Sequence, residues 1–164
     1  MHKFTLFNGL SLHSIPLRKA GSVYLRMPRV IALDYGEKRT GIAVTDPMQL
    51  IASGLTTLPT AEVIPYLKDY IEQEEVAKCI VGLPKQMDNS SSEVEPKIQA
   101  FLNKLKKALP TLAVERYDER FTSKMAFQTL IDSGVGKKKR REKGLIDKIS
   151  ATLLLQSYLD AQHN

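Results

Sequence analysis

The sequence has no tryptophan, one cysteine in 164 residues and no internal repeat. A lone cysteine excludes an internal disulfide and a thiolate metal cluster, each of which needs at least two. Cys79 stands in the run Val76 to Val81, where an inert core residue is expected, and a reducing cytoplasm suits it. No stretch approaches the roughly 18 uninterrupted apolar residues of a membrane span, so no membrane role is expected. Acidic residues are fewer than basic ones, 18 Asp and Glu against 24 Lys and Arg, for a formal net charge of +6. That balance favours a polyanionic partner without specifying one. With 43% hydrophobic residues, a chain of this length can bury one core as a single domain.

Acidic residues are missing altogether from the opening MHKFTLFNGLSLHSIPLRKAGSVYLR. This segment has no helical or strand period, and it lacks the apolar centre and small-residue cleavage site of a secretory signal. Its Arg and Ser content resembles a transit peptide. A poorly ordered extension, such as translation from an upstream start codon would add, suits it better, because Met27 immediately precedes the first strand. Residues 1–28 are therefore assigned to an extension and residues 29–164 to one folded domain.

That domain reads as strand, strand, strand, helix, strand, helix, strand, helix, helix. Arg29–Asp34 is apolar from Val30 to Leu33, which fits a strand covered on both faces. Gly36 supplies turn freedom before a second strand, Thr40–Thr45, so the two form a hairpin. Ile51–Leu58 is a third strand. Ala61–Glu74 is a helix with Val63, Ile64, Leu67, Tyr70 and Ile71 on one face, and Pro65 is tolerable only near its start. Ala77–Val81 is a fourth strand, closed by Gly82-Leu83-Pro84. Ile98, Phe101, Leu102, Leu105 and Leu109 mark a helix stopped by Pro110. Leu112–Tyr117 is a fifth strand, Thr122 or Ser123 caps a helix ended by Gly134, and Leu145–Ala161 is the last helix. The class is α/β, a five-stranded mixed sheet with helices on both faces.

An aspartate, Asp34, closes the first apolar strand. A bare anion in such a place costs several kcal/mol or becomes protonated, unless a cation, backbone amides or a metal ion meets it. Two more acids occupy comparable places: the pair Asp118-Glu119 at the end of the fifth strand, and Asp147 early in the last helix. Each has an ordinary explanation. Asp34 could stabilise its own turn, Glu119 could pair with Arg120 or Arg116, and Asp147 could sit in the first helical turn against the dipole. Taken together, hard oxygen donors from separate elements suit Mg²⁺ or Mn²⁺. Ser150 and Ala151, at i+3 and i+4 from Asp147, are small enough to let that helix lie close on the sheet.

Between the last two helices lies GVGKKKRREKG, in which Lys137, Lys138, Lys139, Arg140, Arg141 and Lys143 are interrupted only by Glu142. Such a run is first of all a solvated loop. Beside a carboxylate cluster, it is also suited to neutralising phosphates without reading sequence.

The blocks ALDYGEKRTGIAVTD, IVGLPKQMDNS, DERFTS and KGLIDKISATLLLQSYL resemble the four signature motifs of the YqgF/RuvX family. They occur in the family's order and span roughly Arg29 to Asp160. The family has the RuvC-like, RNase H fold, is described as Holliday-junction resolvase-like, and is assigned to maturation of the pre-16S rRNA 5′ end. The resemblance implies a sheet whose first three strands are antiparallel, with the fourth and fifth parallel to the first. It further implies an acidic triad of Asp34, Glu119 and Asp147 holding Mg²⁺ or Mn²⁺, with Asp118 as a second candidate. Gly36, Gly41, Gly82 and Pro84 match structural positions around that site. Two departures stand out. The family often has Asn-Met-Asp-Gly where this chain has Gln86-Met87-Asp88-Asn89, and the second acid lies one strand further along than in RuvC.

The activity implied is metal-assisted phosphodiester hydrolysis, with Lys38, Arg39, Arg120 and the 137–143 loop holding the backbone of pre-16S rRNA or branched DNA. The small ribosomal subunit is an expected partner, and the chain is expected to act as a monomer or homodimer. Two other classes fit parts of the pattern. An actin-like ATPase shares Asp-x-Gly at a hairpin but needs a second domain to enclose its nucleotide. A non-catalytic nucleic-acid or ribosome-binding module would keep the fold without cutting.

Overall fold

The computed structural model describes residues 27–84, 93–118, 122–134, 136 and 142–163. The segment before Met27, the Gln86-to-Asn89 departure and most of the basic loop lie outside the described residues. Strands β1 (Arg29–Asp34), β2 (Arg39–Thr45), β3 (Ala52–Pro59), β4 (Val76–Leu83) and β5 (Ala113–Asp118) form one sheet in the order β3-β2-β1-β4-β5. β2 is antiparallel to both β1 and β3, whereas β4 is parallel to β1 and β5 to β4. The strand directions are those implied by the sequence motifs.

The helices are α1 (Val63–Gln73), α2 (Glu95–Ala108), α3 (Thr122–Asp132) and α4 (Lys143–His163). A 3-10 turn over Thr60–Glu62 leads into α1, so Pro65 falls in the first turn of α1, where its missing N–H costs nothing. β4 runs two residues beyond the expected Val81, because Gly82 and Leu83 pair with Tyr117 and Asp118 of β5. Met27 and Pro28 are held against the β2–β3 turn by Met27 N donating to the Pro47 carbonyl at 2.7 Å and Gln49 Nε2 donating to the Pro28 carbonyl at 2.6 Å.

Two apolar layers enclose the sheet. On one face Ile31, Leu33, Ile42, Val44 and Val81 pack with Val63 and Leu67 of α1 and with Ile98, Phe101, Leu102 and Leu105 of α2. On the other, Val30, Ala32, Ala43 and Ile80 meet Ala151, Leu154, Leu155, Tyr158 and Leu159 of α4. β1 is therefore apolar in every interior position because helices cover both its sides. The sheet residues under α4 are mostly small, which lets that helix approach closely. α3 packs on α4 in turn, and Ala126 is fully buried there. Cys79 is completely buried, and burial pushes its thiol up to about 12, as suits an inert core residue.

One ion pair fastens α2 to β5, and the same arginine grips the end of β4. The Arg116 guanidinium donates to both carboxylate oxygens of Glu95, at 2.8 and 3.0 Å, and to the Gly82 carbonyl at 2.8 Å. It also donates to the Val81 carbonyl at 3.3 Å. The Arg116 hydrogen bonds hold the Glu95 carboxyl below its usual range against the upward push of desolvation, with help from the Gln99 amide. A depressed folded pKa contributes stability that is complete above the unfolded value of about 4.3. That contribution disappears as pH falls through the folded value. Arg116→Met should therefore lower stability by about 2 kcal/mol at neutral pH. The gap from wild type should narrow in urea unfolding as pH drops below about 4; a gap independent of pH would mean the ion pair is not its source.

Candidate active site

Asp34 ends β1 and pairs across the sheet with Gly41 of β2, which pairs in turn with Thr57 of β3. Alternation puts Asp34 on the same face as Val30 and Ala32, the face covered by α4. Gly41 is the point at which α4 touches down. A Cβ on it would run into the carbonyl of Asp147 and stand 3.0 Å from the backbone nitrogen of Lys148. Ser150 and Ala151 are fully buried under the same helix, in keeping with their small size. Gly54 of β3 continues the contact, since a Cβ there would lie 2.7 Å from Lys148 Cγ and 3.0 Å from Thr152 Oγ1. The close approach sets Asp147 on the cross-strand neighbour of Asp34.

The β1–β2 turn that follows Asp34 is braced from outside. Thr60 Oγ1 donates to the Gly36 carbonyl at 2.5 Å and receives the buried Thr40 hydroxyl at 2.9 Å, while Thr60 N donates to the Lys38 carbonyl at 3.2 Å. Gly36 itself admits no side chain, because a Cβ would meet the Arg39 carbonyl. Motif reading singled out Gly36 and Gly41 but missed Thr40 and Thr60, whose roles depend on a contact between β2 and the turn after β3. Arg116 was also missed as a clamp; the sequence offered it only as a surface partner for Glu119. Its place among the apolar alternate positions of a strand is the signal that could have flagged it.

Asp147 lies in the second turn of α4, not the first, because the helix begins at Lys143. The Glu142 carbonyl accepts from the amides of Leu145 and Ile146, at 3.0 and 3.4 Å. Stabilisation by the first-turn dipole therefore does not apply. Its partner is Arg39, whose Nε donates to Asp147 Oδ2 at 3.2 Å; the side chains are 40% and 26% exposed. Lys38 is exposed on the turn next to it.

Asp118 goes the other way. Val114 and Arg116 lie on the α1–α2 side of β5, whereas Tyr117 packs toward α4 with its ring edge-on to Tyr158. Alternation thus aims Asp118 away from the Asp34 face. Gly82 and Pro84 follow at the end of β4, with the Gly82 carbonyl held by Arg116. Glu119, Arg120 and Lys137, Lys138, Lys139, Arg140 and Arg141 lie outside the described residues; Lys143 opens α4, and its side chain is outside them too. Among the described residues no three His, Cys, Asp or Glu side chains form a metal-holding group. Asp34 and Asp147 supply carboxylate oxygens here, which fit a hard divalent cation completed by further oxygen ligands. From Thr57 the row opens into a cleft of about 530 Å³, walled by Thr56, Gly144 and Lys148 among others.

The family model for RuvX, described as Holliday junction resolvase, matches residues 28–161. A protein of Flavobacterium psychrophilum is 56% identical over 133 residues, covering 81% of this chain and 97% of its own length. One from Bacteroides fragilis is 53% identical over 136 residues, covering 83% and 99%. Both carry the name "Putative pre-16S rRNA nuclease". Among solved structures, Thermus thermophilus RuvC bound to a Holliday junction substrate superposes with a TM-score of 0.51 at 16% identity. That likeness covers 84% of this chain and 96% of the other, and speaks for the fold.

Gly41→Ala should lower stability by about 2 kcal/mol, the scale of an overpacked core, because the new methyl would meet helix backbone, which cannot swing aside as a side chain can. Ser150→Ala, which keeps the small size, should not lower it. Chemical denaturation of the two variants checks this; an unchanged midpoint for Gly41→Ala would mean that α4 does not depend on the contact.

Proposed function

The chain belongs to the RuvX family, and on that premise we propose that it is a nuclease that hydrolyses phosphodiester bonds during 5′-end maturation of pre-16S rRNA. The observation that carries the chemistry is that Asp34 ends the first strand while the backbone of the last helix at Asp147 rests on Gly41, the cross-strand partner of Asp34. Ligand sites of open α/β sheets gather at such strand ends. The names of the relatives favour RNA over the branched DNA in the family description.

In this reading Asp34 and Asp147 would hold Mg²⁺ or Mn²⁺. Glu119 would be the third ligand, preferred to Asp118 because Asp118 belongs to the opposite face. When bound, such an ion supplies charge stabilisation at the phosphate and a water of lowered pKa for in-line attack. The protein's own task is to bind and orient the strand. Lys38, Arg39 and Lys148 line the approach, and Arg120 with the 137–143 run adds cations that neutralise phosphates without reading bases. No element of the fold described above presents a groove-reading helix or an aromatic ribbon, so selection by RNA shape or by the small ribosomal subunit fits best. A cytoplasmic location follows from that substrate.

Labelled pre-16S 5′-leader RNA and a four-way DNA junction should be incubated in parallel with wild type and Asp34→Asn, in Mn²⁺, Mg²⁺ or EDTA. The RNA should be cut only with metal, and Asp34→Asn should lose at least about a hundredfold in rate, since even outer positions of metal sites act on that scale. Cutting of the junction alone would move the same chemistry to DNA. Binding without cutting of either would leave a non-catalytic module.

A further inference from the structure

Arg39 stands between the two roles that the site needs. It pairs with a candidate metal ligand, Asp147, yet it is a cation on the approach a phosphate backbone would take. We propose that Arg39 is a substrate-released latch: without nucleic acid its guanidinium holds Asp147, and an incoming phosphate draws it away and frees that carboxylate for the divalent cation. The inference rests on the nuclease reading.

The contact is made through Nε at 3.2 Å on a side chain that is 40% exposed, so the guanidinium can be reached from solution. Its planar fork matches phosphate as well as carboxylate, which makes an exchange of one for the other chemically simple. Ion pairs this exposed are weak and readily exchanged. A divalent ion on Asp147 Oδ2 would share that oxygen with the guanidinium, and two cations a few ångströms apart repel. Arg39 and the metal therefore compete for Asp147, whereas a phosphate relieves the competition. The turn preceding Arg39 is fixed separately by Thr60, so the side chain can swing without disturbing the placement of Asp34. By linkage, nucleic acid must tighten metal binding by the same factor by which metal tightens nucleic-acid binding.

The test is Mn²⁺ titration of the full chain followed by electron paramagnetic resonance, with and without a short uncleavable 2′-O-methyl RNA, subtracting Mn²⁺ held by the RNA alone. For wild type, RNA should tighten Mn²⁺ binding about tenfold, within the usual range of coupling between two sites. Arg39→Gln should bind Mn²⁺ about tenfold more tightly than wild type without RNA and lose most of that coupling. Arg39→Lys, which keeps the charge, should stay close to wild type. Equal or weaker Mn²⁺ binding by Arg39→Gln, or coupling that survives in it, would overturn the latch and leave the nuclease reading in place. Failure of wild type to bind Mn²⁺ even with RNA would overturn the latch by removing the metal site on which it depends.

Discussion

The missing side chain at Gly41 is the constraint on which the rest of the site depends. Helix α4 comes within backbone contact of β2 there and nowhere else so directly among the described glycines. Because Gly41 pairs with Asp34 and touches the backbone of Asp147, a single contact couples the last residue of the first strand to a helix residue more than a hundred positions later. Small residues on both partners sustain the approach: Ala32, Ala43 and Gly54 in the sheet, Ser150 and Ala151 in the helix. The large aliphatic residues of α4 follow further along, where Leu154, Leu155 and Leu159 fill the core. Burying each of those side chains contributes about 2 kcal/mol. The apolar half of α4 thus anchors the helix while its N-terminal half carries the acid.

Charge is arranged with the same economy. Of the cations behind the net charge of +6, Arg39 pairs with Asp147, Lys38 stands next to it on the turn, and Lys148 follows Asp147 in α4. Cations beside carboxylates suit the proposed role, in which a polyanion is attracted while negative charge is kept for a metal ion. Arg116 plays a different part. It is spent on Glu95 and on carbonyls of β4, and so stiffens the strand end next to Asp34. Membership of the RuvX family gives this arrangement a nucleic-acid context; the geometry says which of the chain's acids share a face.

Much of the fold was legible in the sequence because its signals are local. Apolar runs bounded by Gly and Pro mark the strands, and 3.6-residue periods mark α1 and α2. The glycines of the turn at Gly36 and of the helix contact at Gly41 announce themselves by motif. What escaped was whatever depends on distant pairing. β4 extends to Leu83 because β5 offers it partners, which no property of Gly82-Leu83 reveals. The helix start at Lys143 hides among cations, so Asp147 reads as a first-turn acid until the helix is seen. Asp118 and Glu119 are neighbours in sequence, and only the parity of Val114, Arg116 and Tyr117 tells that Asp118 belongs to the other side of the sheet. The Arg39–Asp147 pair spans the whole domain and has no sequence signature at all.

The central claim is that Asp34 and Asp147 belong to one metal centre built across the Gly41 contact. Anomalous diffraction from crystals of the protein grown with Mn²⁺ and an uncleavable RNA tests it most directly. The account predicts a manganese peak within ligand distance, on the order of 2 Å, of carboxylate oxygens from both residues. A manganese ion bound elsewhere, or one held without Asp147, would contradict it.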